Sequence, residues 1–211
     1  MPAYFNLSLE FERKDLYPHF VSDLFEILEQ AGLEYLSGYW EAEGDSRDEI
    51  IRWNQKKLEQ DFQLGFTEHH SHDYKQVLYS FGGYSEVRGF WMNRYPEKSC
   101  FTYEIIIPEE DVLEHEGGEI LKKEHEKILI ELAERIWEFP YVKAIQTGIE
   151  GDEASTGISK LEQGKAPNMY SFAVLEEKYE IKGVRGLAVR PFNGRREGWI
   201  YCRRPVGEAG K

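Results

Sequence analysis

Phe5, Leu7, Leu9 and Phe11 alternate with Asn6, Ser8 and Glu10. That period of two predicts a half-buried strand over residues 4–11. Tyr17, Phe20, Val21, Leu24, Phe25 and Leu28 then recur at helical spacing. Asp15 is the expected N-cap of this helix, Pro18 lies in its first turn, and Gly32 stops it. Residues 33–42 read as a second strand carrying Tyr35, Tyr39 and Trp40.

Ser46-Arg47-Asp48-Glu49 has the form of a capping box, in which a serine and a glutamate three residues on satisfy each other's backbone donors. It opens a second helix through Ile50, Ile51, Trp53, Leu58 and Phe62, expected to end near Gly65. Residues 76–81, 86–94 and 99–108 form three successive strand patterns. Gly82-Gly83 and the run 95–98 supply the turns of an antiparallel meander.

A third helix is predicted from Glu119 through Leu121, His125, Leu129, Leu132 and Ile136, ended by Pro140. Strands are expected at 141–149, at 169–175 and, interrupted by glycine, at 179–189. Asn193-Gly194 then signals a hairpin, and 199–202 its return strand. The order predicts an α+β fold, a largely antiparallel sheet with about three helices packed on it. One α+β domain over residues 1–211 is expected, with a sub-boundary at the polar loop 150–168 as the alternative.

Composition changes this picture little. A chain that is 41% hydrophobic and 14% aromatic has enough apolar area to bury a core and does not belong with disordered chains. Cys100 and Cys202 stand far apart in no CxxC pattern, which predicts reduced thiols. The first six residues lack the basic and apolar regions of a secretory signal, and no stretch has the length of a membrane span. A cytoplasmic location is therefore expected.

Charge matters more. Residues 1–177 carry 17 Lys and Arg against 36 Asp and Glu, and residues 178–211 carry 9 against 3, giving a net charge of −13. An acidic body repels nucleic acid and anionic membrane and attracts cationic partners. The expected partner is a basic protein. Neither nucleic acid nor membrane is expected, and the sequence leaves the oligomeric state open.

The densest chemical pattern is Glu68-His69-His70-Ser71-His72-Asp73. Imidazole and carboxylate are ligands for a divalent transition metal such as zinc, so His69, His70, His72 and Asp73 are the candidate metal ligands. Their spacing is not that of HExxH, and a wet polar turn between a helix and a strand is the plainer reading, with a pH-sensing histidine cluster a further alternative. His19 and His125 sit among apolar helix positions and read as packed residues. The acidic runs 109–111 and 150–153 lack EF-hand spacing. The stretch 148–160 lacks the Gly-Lys-Ser/Thr of a phosphate loop, and no Gly-x-Ser-x-Gly elbow occurs.

Arg185, Arg190, Arg195 and Arg196 form the candidate binding set of the basic end, with pairing to the acidic body or guarding of strand edges as the plainer reading. Arginine pairs bidentately with carboxylate or phosphate, and Trp199 and Tyr201 lie close by in sequence. No pattern fixes a reaction. The expected function is a non-enzymatic protein-binding module, inhibitor or immunity-like, acting on a basic partner and without a cofactor. Tyr39, Trp40, Trp53, Trp91 and Tyr95 are its candidate aromatic anchors. The alternative is a metal-dependent hydrolase using the 69–73 cluster.

Overall fold

The computed structural model describes residues 3–62, 73–93, 99–114, 120–150, 155–182, 184, 186–192 and 194–203. Eleven strands are present among them: β1 Tyr4–Glu12, β2 Glu34–Tyr39, β3 Gln76–Ser80, β4 Val87–Met92, β5 Cys100–Pro108, β6 Leu113–Glu114, β7 Ile120–Leu121, β8 Val142–Ile149, β9 Phe172–Leu175, β10 Leu187–Pro191 and β11 Trp199–Arg203. Nine of them make one sheet in the order β10-β11-β9-β8-β1-β5-β4-β3-β2, and β6 pairs with β7 apart from it. Every named strand pair is antiparallel. The expected α+β class is what the chain adopts.

The register explains the core. Phe5, Leu7, Leu9 and Phe11 of β1 stand opposite Ile107, Ile105, Tyr103 and Phe101 of β5. All eight are buried on one face of the sheet. Three long helices cover that face: α1 Phe20–Gln30, α2 Arg47–Glu59 and α4 Lys123–Ile136, while α3 Glu109–Val112 and α5 Ile158–Glu162 are short. α1 buries Phe20, Val21, Leu24, Phe25 and Leu28, the residues its apolar period singled out. Phe11, Phe20 and Phe139 meet edge to face at centroid distances of 5.2, 5.4 and 6.3 Å. Each such ring contributes roughly 1.5–3 kcal/mol by leaving water.

Local signals fared unevenly. The capping box formed: Glu49 N donates to Ser46 Oγ, and Ser46 N donates to Glu49 Oε2 at 2.8 Å. Gly32 ends α1 with φ +103°, a conformation that suits glycine alone. Asp15 is not the cap of α1. It closes a 3-10 turn at Arg13–Asp15, and His19, exposed instead of packed, precedes Phe20. α2 stops at Glu59, short of Gly65, where Asp61 takes φ +53°. α4 starts at Lys123 because Ile120 and Leu121 pair with Leu113 and Glu114 as β7 against β6.

The opposite face of the sheet divides into three zones. Over β8, β9 and β11 lies a second, smaller apolar cluster of Ala144, Leu161, Met169, Ala173, Leu175 and Tyr201. Its neighbour is a polar seam on β1 and β5. There Glu104 accepts hydrogen bonds from Ser8 Oγ at 2.8 Å, Thr102 Oγ1 at 2.6 Å and Asn6 Nδ2 at 3.1 Å. The polar stretch after β8 is seated on this seam. Gln146 exchanges hydrogen bonds with the backbone of Thr156 and accepts one from Asn168 N, while Glu10 accepts from Ile158 N. Buried polar groups paired in this way avoid the 1–3 kcal/mol cost of an orphan. The third zone, over β1, β5, β4 and β3, is an open cleft.

Candidate functional site

The cleft has a volume of about 740 Å³, within the range of small-ligand and side-chain binding sites. Its floor comes from alternate positions of the sheet: Tyr4 and Asn6 of β1, Ile106 of β5, Phe90 and Met92 of β4, and Gln76 of β3. Trp53 of α2 and residues Asp73, Tyr74 and Lys75 form one wall. Tyr39, Trp40, Glu41 and Asp45, where the chain leaves β2, form the rim, and Ile149 and Glu150 close the far side.

Asn54 fixes the wall by bonding both backbone groups of Lys75, at 2.9 and 2.8 Å. Trp53 Nε1 donates to the Asp73 carbonyl at 2.8 Å.

Trp40 is the unusual residue. Its side chain is 61% exposed, and its backbone has φ +57°. A left-handed conformation costs a bulky L-residue about 1–2 kcal/mol. Gly38 explains how the turn is held: a Cβ there would lie 1.9 Å from the Ala42 carbonyl oxygen. Residues 40–42 therefore fold tightly under β2, with Glu43 N bonded to Trp40 O and Asp45 N to Ala42 O.

Acidic side chains outnumber basic ones in the lining. Glu41, Asp45, Asp73 and Glu150 line the cleft against one lysine, Lys75. The protein's own cations already lie on its rings. Lys75 Nζ is 4.8 Å from the centre of the Trp53 ring and 2.6 Å from Asp45 Oδ2. Arg88 stacks between Tyr4 and Tyr39, at 4.5 and 4.6 Å from their centres, and pairs with Glu86. Burial pushes the Tyr4 phenol above its ordinary pKa while Arg88 works against that shift. Among the described residues Gln76 Oε1 and Trp91 Nε1, two buried atoms on cleft residues, have no hydrogen-bond partner.

Tyr39, Trp40, Trp53 and Trp91, read from the sequence as anchors, meet at this one cleft. Trp91 does so from within the core, fully buried. Tyr95 lies outside the described residues. So do His69, His70 and His72, whereas Asp73 is in the cleft wall. Among the described residues no group of three or more His, Cys, Asp or Glu is placed to hold a metal ion.

The candidate arginines of the described residues differ in their surroundings. Arg185 lies outside the described residues, and Arg190 is exposed on β10. Arg195 is 88% exposed and 3.6 Å from Glu138. Arg196 is tied inward: it donates to the carbonyls of Phe139 and Val142 at 3.0 and 2.8 Å, reaches Glu176 at 2.6 Å, and stacks on Trp137 at 4.4 Å. Of the nearby aromatics, Tyr201 is buried and Trp199 is covered by Lys178 at 4.8 Å.

Glu176 gives this cluster a pH dependence. Burial works to raise its carboxyl pKa, but the hydrogen bonds and charges of Arg196 and Lys143 outweigh it and hold the group below its ordinary 4.5. A folded value below the unfolded one contributes stability that is present above pH ~4.5 and is lost as the pH falls through the depressed value. Glu176→Gln is expected to flatten the acid limb of stability against pH in urea melts at pH 3–7. An unchanged acid limb would contradict it.

Several cleft residues were not singled out from the sequence: Tyr4, Asn6, Gln76, Phe90 and Met92. The signal was present in β4, where Phe90, Trp91 and Met92 place large apolar groups on both faces. A strand covered on one side by helices has no packing need for apolar groups on the other.

Comparison with known proteins adds a little. No protein-family model matches the chain, and no curated protein matches it. Among solved structures it is similar to a Pseudomonas aeruginosa protein described as T6SS protein PA0821, at a TM-score of 0.35 and 10% identity over 95% of this chain and 68% of that one. A likeness at that level carries no argument for function. Among the described residues no helix is long and apolar enough to cross a membrane.

Proposed function

We propose that the chain is a non-enzymatic protein-binding module of the cytoplasm, inhibitor or immunity-like, whose cleft receives a cationic side chain of a basic protein partner. The observation that carries this reading is Trp40, an exposed indole held in a left-handed backbone at the rim of an acidic, aromatic cleft. Strain of this kind persists where the surrounding fold enforces it and function requires it. Aromatic faces attract cations by about 0.5–2 kcal/mol, more as water is excluded, and the surrounding carboxylates add to that attraction. The net charge of −13 speeds encounter with a basic surface.

N-acetyl-arginine amide tests the cleft directly. In a two-dimensional NMR titration, the indole N–H resonances of Trp40 and Trp53 are expected to move. N-acetyl-citrulline amide, equal in shape and uncharged, should leave them in place. Equal shifts with both ligands, or none with either, would remove the cation from the account.

A further inference from the structure

We propose that β2 is a docking edge. On this proposal an extended, basic segment of the partner adds beside β2 as one more strand and so delivers its cationic side chain to the cleft. The proposal rests on the cleft reading above and extends it from one side chain to a backbone.

The two ends of the sheet are built differently. β10 carries the exposed Arg190 and Pro191, a charge and a residue without an N–H, both of which discourage a further strand. β2, Glu34–Tyr39, contains no Lys, Arg or Pro, and among the described residues it pairs with β3 alone.

Its register shifts between Tyr35 and Ser37, so Leu36 is the extra residue of a bulge. A bulge is one of the devices that blunt an edge, as is a charge such as that of the exposed Glu34. Here the bulge presents a leucine that is 54% exposed. Trp40, 61% exposed, follows directly at the end of the strand. Two of the four large apolar side chains exposed among the described residues therefore sit along this one edge.

Charge selects the occupant. Glu34, Glu41 and Glu43 are exposed around β2. A second copy docked edge to edge would bring these acids together, and like charges placed opposite one another repel. An added strand with cationic residues at alternate positions would meet the acids and the indole from one face, because side chains on a strand point alternately to the two sides. Main-chain hydrogen bonds would supply affinity and the cleft specificity, as in other strand-addition complexes.

The probe is the hexapeptide acetyl-Arg-Val-Arg-Val-Arg-Val-amide, compared with the same peptide N-methylated at every residue. Binding of the first is expected to slow hydrogen exchange at amides within residues 34–39. The N-methylated form should bind about 10-fold more weakly or worse, the loss expected for one or more main-chain hydrogen bonds. Leu36→Lys, an exposed position where folding is not at risk, should weaken the unmodified peptide by a similar factor.

Indole shifts at Trp40 and Trp53 without protection of residues 34–39, and with equal affinity for both peptides, would overturn edge docking and leave the cleft reading standing. Absence of any indole shift or binding would overturn both.

Discussion

Gly38→Ala is expected to destabilise the protein by about 3 kcal/mol, the upper part of the overpacking range, and to disorganise the cleft rim. The reason is a contact with backbone: the added Cβ would fall 1.9 Å from Ala42 O and 2.5 Å from its carbonyl carbon. A side chain could swing aside. The Ala42 carbonyl cannot, because it accepts the Asp45 amide at 3.0 Å and Ala42 itself is buried. Relief would have to come from residues 40–45, which carry Trp40 and Asp45 into the cleft. For a chain of this length the loss corresponds to a fall in melting temperature of about 6–12 °C. Denaturant melts check the stability and the Trp40 indole resonance checks the rim. Wild-type behaviour in both would mean that the turn is looser than described.

Arg196→Ala is expected to cost about 3–5 kcal/mol, whereas Arg195→Ala, next to it, should stay within about 0.5 kcal/mol. Arg196 satisfies the carbonyls of Phe139 and Val142 where the chain turns from α4 into β8, and it neutralises Glu176. Removing it takes a charged donor from both carbonyls, and a hydrogen bond to a charged group is worth roughly 1.5–3 kcal/mol; Phe139 O keeps Val142 N at 3.2 Å. Part of the Glu176 attraction is screened, since that carboxylate is 41% exposed, so the carbonyls carry most of the effect. Arg196→Lys should recover only a fraction, because an ammonium lacks the planar fork that reaches two carbonyls and a carboxylate together. Paired urea melts of the two alanine variants measure the contrast. Equal losses at 195 and 196 would contradict it.

These two arginines illustrate what the sequence could not convey. Both stand after the hairpin signal Asn193-Gly194, with equal charge and identical chemistry. Their fates differ because Glu176 and the carbonyls of residues 139 and 142 reach one of them through long-range strand pairing, which a linear pattern does not contain. Strands and long helices were legible because each has a period: β1, β3, β4, β5 and β8 form at the expected places. The N-terminus of α1 was misplaced because Asp15 and Pro18 imitate a helix start, while Arg13 N bonds Ser99 O and the chain turns at Arg13–Asp15 first.

The aromatic anchors were legible as residue types. Their convergence was not, because Tyr4, Trp53 and Phe90 come together only once β1, α2 and β4 have taken their places. The seating of residues 155–170 on the sheet was likewise invisible. It depends on Gln146 and Glu10, polar residues whose burial no local pattern announces.

Trp40→Gly tests the central claim most directly. Glycine relieves the left-handed backbone at φ +57° and removes the indole, so structure and binding are expected to move in opposite directions. The measurement is calorimetric titration of acetyl-Arg-Val-Arg-Val-Arg-Val-amide into wild type and variant, with melting curves of both. The expected result is a variant at least as stable as wild type that binds about 5- to 30-fold more weakly, the worth of one cation–π contact of about 1–2 kcal/mol. A variant that loses stability and keeps its affinity would contradict it, and would make Trp40 a structural residue of the turn.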